Sequence, residues 1–138
     1  MHILMCNDDG ILADGLRQLA TYLSQYYRIT VVAPATEQSA KSHALTTEIP
    51  LKLDAYNGED ENPRLYALTG TPSDCMKFGL SYLLTDDMPD LVISGINHGF
   101  NLGSDVLYSG TVSAAMESCF YGIPGLALSV ERYSTERG

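Results

Sequence analysis

The amino-acid sequence predicts a doubly wound α/β sheet, and three observations carry that prediction. Four short apolar runs rich in branched residues, His2–Cys6, Arg28–Ala33, Asp90–Ser94 and Gly125–Val130, read as strands buried on both faces. Segments with helical spacing fall between them, an alternation that builds parallel sheets. Polar, glycine-bearing loops follow the strand ends, the edge where open sheets of this kind gather ligands.

Between the first two strands, Leu16, Leu19, Ala20 and Leu23 keep the spacing of a helix face. The stretch 49–68 breaks the rhythm. Ile49, Leu51 and Leu53 alternate with Pro50, Lys52 and Asp54, and an acidic turn, Asn57 to Pro63, leads back into Leu65 and Ala67. Two runs around a polar turn predict a β-hairpin, its acidic residues forming a solvated tip. A second helix is expected from Pro72 to Leu84, with Pro72 in its first turn and Met76, Leu80, Leu83 and Leu84 as its apolar stripe. A third is expected from Thr111 to Tyr121, turning Val112, Ala115, Met116 and Cys119 inward and ending at Gly122 and Pro124. The polar tail after Val130 contains no closing element, so the last strand is expected to lack a cover.

The 138 residues suffice for one domain, 1–138, with a real core. Seventeen acidic against eight basic side chains give a net charge of −9. That balance disfavours a nucleic-acid duplex as partner, because such binding runs on Lys and Arg. A small phosphorylated substrate stays compatible when a cation reverses the local sign. Cys6, Cys75 and Cys119 lie far apart in apolar segments without a CxxC pair, and read as reduced, buried thiols of a cytoplasmic protein. Met1 leads straight into the first strand, leaving no room for a signal peptide, and no apolar run is long enough to span a membrane.

Four polar segments occupy ligand-bearing positions. Asn7-Asp8-Asp9-Gly10 closes the first strand with paired carboxylates, which need a positive partner. A plain Asp-Gly turn capping the next helix accounts for them equally well. Thr36 to His43 forms a long polar loop that includes Ser39. Ser94 to Gly103 carries Asn97, His98, Asn101 and three glycines. Tyr108-Ser109-Gly110-Thr111 opens the third helix, where unpaired N–H groups can receive a phosphate, or Ser109 can serve only as a cap. A cation held by Asp8, Asp9, a hydroxyl such as Ser39 and an amide such as Asn97 would have only oxygen ligands, which selects Mg²⁺, Mn²⁺ or Ca²⁺ over zinc. His43 and His98 are weaker acid–base candidates or plain surface. The dinucleotide, Walker and HExxH zinc motifs are all missing from the sequence.

Taken in order, these segments resemble the SurE family of 5′/3′-nucleotidases. The resemblance rests on Asn7-Asp8-Asp9-Gly10, Ala33-Pro34 with Gln38-Ser39 and Ser42-His43, and Gly70 to Cys75. It continues through Ser94 to Gly99, Asn101-Leu102-Gly103, Asp105-Val106, Tyr108 to Val112, and Gly122-Ile123-Pro124. It implies a Rossmann-like three-layer α/β/α sandwich with a mostly parallel sheet. It also implies Asp8, Asp9, Ser39 and Asn97 as ligands of Mg²⁺ or Mn²⁺, and Ser109, Gly110 and Thr111 as the phosphate-binding turn. Asp8 or Asp9 would then act catalytically, with Asn7, His43, Asn101 and Asp105 as lesser candidates. The implied activity is hydrolysis of nucleoside 5′- and 3′-monophosphates, with short polyphosphate as a further substrate, in a homodimer or homotetramer. Ala40 replaces a glycine common in the family. Family members are longer, so this chain is expected to hold the metal and phosphate motifs without the family's C-terminal part. A noncatalytic nucleotide-binding or interaction module is the alternative that this shortness raises.

Overall fold

The computed structural model describes residues 1–36, 50–98 and 110–130. Among these residues, six strands and three α-helices follow in chain order: β1 (His2–Cys6), α1 (Asp14–Leu23), β2 (Arg28–Pro34), β3 (Leu53–Ala55), β4 (Arg64–Leu68), α2 (Pro72–Phe78), β5 (Leu91–His98), α3 (Gly110–Cys119) and β6 (Gly125–Val130). The strands make one six-stranded sheet in the order β3-β4-β2-β1-β5-β6, all parallel except the β3–β4 pair. Strand order reverses at β1, so the switch point lies between β1 and β5. The expected hairpin is present as β3 and β4, and its tip residues 58–62 are exposed.

Alternation along β1 divides the core. Ile3 and Met5 pack with Ile11, Leu16, Ala20, Val31 and Ile93 on the α1 side. Leu4 and Cys6 pack with Val32, Cys75, Met76, Leu80, Val92 and Ala114 on the α2 and α3 side. Full burial of each large aliphatic side chain contributes about 1.5–3 kcal/mol, so a sheet covered on two faces is held by both layers. Asn62 fastens the hairpin tip to the rest: its Oδ1 accepts from Ile29 N, and its Nδ2 donates to the carbonyls of Ser24 and Tyr27.

Several sequence expectations are corrected. The α-helix begun at Pro72 ends at Phe78, and Gly79–Leu83 continues as a π-helical turn closed by Leu84 N donating to Gly79 O at 2.9 Å. Gly79 sits where a Cβ would stand 3.3 Å from Leu4, so the helix rides close to the sheet there. On α3 the buried face is Thr111, Ser113, Ala114, Ala115 and Ser118, whereas Met116 and Cys119 are exposed. Backbone proximity decides this: a Cβ on Gly125 would collide with Ala115 and Ser118, so only small residues fit between α3 and β6. Strand β6 is not buried on both faces, with Leu126 and Val130 exposed. Among the described residues, no helix is long and apolar enough to cross a membrane.

Candidate functional site

Strand β1 runs out of the core into a turn whose shape is set by Asn7. The Asn7 side chain is buried, its Nδ2 donates to Gly10 O at 2.9 Å, and its Oδ1 accepts from Gly10 N at 3.1 Å. Gly10 has φ of 109°, a conformation that glycine adopts without strain. Ile11 N then donates to Pro34 O, tying the turn to the end of β2. Asp8 and Asp9 are thus presented by a fixed loop. Asp8 is 5% exposed, whereas Asp9 is half-buried.

Asn97 reaches the same edge through an irregularity in β5. Ser94 pairs with Ala127 and Asn97 with Ser129, so three steps on β5 oppose two on β6. An extra residue of this kind is a β-bulge, and it reverses which face the following side chains occupy. Ile96 consequently points to the α1 side, where a Cβ on Gly15 would lie 3.6 Å from its own Cβ. Asn97 takes the opposite face, shared with Ser94, Cys6 and Asp8. Gly95 makes the bend with φ of 140°, and a Cβ there would meet Leu128 O at 2.5 Å.

The third contribution comes from α3. Its first residue, Gly110, is buried against Asp8: an added Cβ would stand 2.6 Å from Oδ1 and 2.9 Å from Cγ. The Asp8 carboxylate therefore lies at the positive end of a ten-residue helix. Thr111, next along, is fully buried.

Beneath this edge lies a layer of small polar groups. Cys6 is in register with Ser94 across the β1–β5 pair. The Cys6 thiol points at the carbonyls of Asn7 and Pro72. Burial pushes the Cys75 thiol well above its ordinary value, and a hydrogen bond with Cys6 adds to the rise. Cys75 belongs to the first turn of α2. That helix is started by a capping box in which Asp74 N donates to Thr71 Oγ1 and Thr71 N donates to Asp74 Oδ2. Gly70 leaves room for that carboxylate, which a Cβ would meet at 2.7 Å.

Of the residues singled out in the sequence, the structure gathers Asp8, Asp9, Asn97, Gly110 and Thr111 at the C-terminal ends of β1 and β5 and the start of α3. Asn7 shapes the turn and is turned away from solvent. Ser39, His43, Asn101, Asp105 and Ser109 lie outside the described residues. Sequence reasoning overlooked Ser94 as part of the layer below, and the bulge that aims Asn97. A glycine inside a strand, Gly95, was the available signal for the second. Asp8, Asp9 and Asn97 offer only oxygen donors at a strand-end crevice, which fits a hard divalent cation and not a thiophilic one. A cavity of about 490 Å³ lined by His2, Tyr26, Tyr27 and Arg28 opens at the other edge, the N-terminal ends of β1 and β2, and shares no residue with this crevice.

Comparison with known proteins agrees with the geometry. The family model for survival protein SurE matches residues 3–137. The chain is 54% identical over 129 residues to a 5′-nucleotidase SurE of Thermoanaerobacter sp. (strain X514), an alignment covering 94% of this chain and 50% of that protein. It is 49% identical over 130 residues to a 5′-nucleotidase SurE of Vibrio vulnificus (strain YJ016), covering 94% and 49%. The crystal structure of the SurE protein from Aquifex aeolicus superimposes with a TM-score of 0.83 at 41% identity, over 98% of this chain and 53% of that one. The chain spans about half the length of the relatives it matches. With its parallel sheet, its Asp8-Asp9 turn and a family match over nearly every residue, this chain belongs to the SurE family.

Proposed function

We propose that this chain carries the catalytic centre of a divalent-metal-dependent phosphomonoesterase acting on nucleoside 5′- and 3′-monophosphates and on short polyphosphate. One observation supports it above the others: the Asp8 carboxylate abuts Gly110, the first residue of α3. A site for a cation and a site for a phosphate are thereby adjacent. The relatives named 5′-nucleotidase SurE add the reaction class.

In this reading Asp8, Asp9, Ser39 and Asn97 hold Mg²⁺ or Mn²⁺. When bound, the cation supplies positive charge that draws in the phosphate and polarises its P–O bonds. Gly110 makes room for the Asp8 carboxylate, and phosphoryl oxygens are received by the first N–H groups of α3 alongside Ser109 and Thr111. Asp8 or Asp9 takes the proton of the attacking water. Asn7 holds both carboxylates in place through Gly10. His43, Asn101 and Asp105 complete the rim as lesser participants. The protein works in the cytoplasm as a homodimer or homotetramer.

The test is phosphate release from adenosine and guanosine 5′-monophosphates with Mn²⁺ or Mg²⁺, for wild type beside Asp9→Asn. Metal-dependent release that the variant loses is the expected result. Equal release by both proteins, or release that chelator leaves intact, would overturn the reading.

A further inference from the structure

Ser94 is fully buried, and its Oγ has no hydrogen-bond partner among the described residues. Burying a hydroxyl without a partner is destabilising, whereas alanine in the same space carries no such cost. Such a group in a native core calls for a reason, and functional sites are where local rules are broken.

The position of Ser94 supplies one. It is the last regular residue of β5 before the bulge that turns Asn97 to the face of Asp8. It is in register with Cys6, two residues before Asp8, and both side chains share the face covered by α3. Alternation along β1 runs Leu4, Cys6, with Asp8 in the turn just beyond, on the α3 side against Gly110, and along β5 it runs Val92, Ser94 and then, through the bulge, Asn97. Ser94 therefore stands one layer beneath both oxygen donors. Cys6 cannot serve it strongly, because a thiol is a weak donor and this one is directed at the carbonyls of Asn7 and Pro72.

We infer that Ser94 is a positioning residue of the Asp8–Asn97 site, its hydroxyl supporting the two strand ends in their cation-bound arrangement at the expense of fold stability. This rests on the proposed metal site. Groups behind metal ligands orient them, and their loss weakens metal binding by about 10–100-fold.

The experiment pairs thermal unfolding with Mn²⁺ titration, followed calorimetrically, on wild type, Ser94→Ala and Ser94→Cys. Ser94→Ala is expected to raise Tm by roughly 4 °C without metal and to weaken Mn²⁺ binding by about tenfold. Ser94→Cys, which keeps a weak donor, is expected to fall between the two in Mn²⁺ affinity. Unchanged Mn²⁺ affinity in Ser94→Ala would overturn the inference by making the hydroxyl a bystander. A fall in Tm would overturn it too, since the hydroxyl would then be an ordinary stabilising contact. Absence of Mn²⁺ binding in the wild type would remove the metal site itself, and Ser94's assignment with it, an outcome distinct from the other two.

Discussion

The Cα of Gly110 lies so close to the Asp8 carboxylate that a single methyl group between them would stand 2.6 Å from Oδ1. This contact joins the end of the central strand to the start of α3. It makes the glycine a steric requirement of the carboxylate's position. Gly110→Ala is expected to displace Asp8 and to destabilise the fold by about 1–3 kcal/mol, as overpacked sites do. Mn²⁺ titration of the variant should show affinity lowered about 10–100-fold. Wild-type affinity with wild-type stability would mean that the carboxylate needs no such space.

Asn7 provides a separate lever on the same turn. Asn7→Ala leaves the Gly10 N–H and C=O without their side-chain partners inside a buried loop. Urea unfolding should register a loss of about 1–3 kcal/mol. Asn7→Asp keeps the acceptor for Gly10 N but sets a buried carboxylate oxygen against Gly10 O, and should lose at least as much.

The fold was legible where burial follows apolarity. β1 and β2 are apolar runs in the sequence and are buried in the sheet. The same rule failed for α3 and β6. Val112, Met116 and Cys119 look like a helix face, but the close approach of Gly125 selects Thr111, Ala114, Ala115 and Ser118 instead. β6 is as apolar as β1, yet it is exposed, because it is an edge strand of the sheet whereas β1 lies in the middle. At the site, the Asp8-Asp9 pair could be read directly because adjacent carboxylates at a strand end are unusual. The route of Asn97 could not, because a bulge changes side-chain parity without changing composition. Ser39 and Ser109 lie outside the described residues.

Thiol reactivity separates the cysteines. Cys119 is exposed, while Cys6 and Cys75 are buried, with Cys75 also held protonated by its surroundings. Iodoacetamide at neutral pH should label Cys119 alone in the native protein and all three in urea. Equal native labelling of Cys75 would contradict the packing of α2 on β1.

His2 should make stability depend on pH at the opposite edge of the sheet. Burial lowers its pKa below the ordinary 6.5, with Asp87 opposing that shift. Its ring is bonded to Thr30 Oγ1 at 2.8 Å and to Asp87 O at 3.1 Å. Between its folded pKa and 6.5, the unfolded chain binds more protons than the folded one. The contribution is therefore complete above 6.5 and is lost as pH falls through that window, by at most about 1.4 kcal/mol per pH unit. Urea midpoints for wild type and His2→Gln should converge at acid pH. A constant difference between them would contradict the shift.

The most direct test of one shared site at the ends of β1 and β5 is a double-mutant cycle on Mn²⁺ affinity with Asp8→Asn, Asn97→Ala and the pair. Two residues holding one cation should not act additively. Each single variant is expected to weaken binding at least tenfold, with the double variant little worse than the poorer single and a coupling of about 1 kcal/mol or more. Full additivity, or wild-type affinity in Asn97→Ala, would place Asn97 outside the site that Asp8 forms.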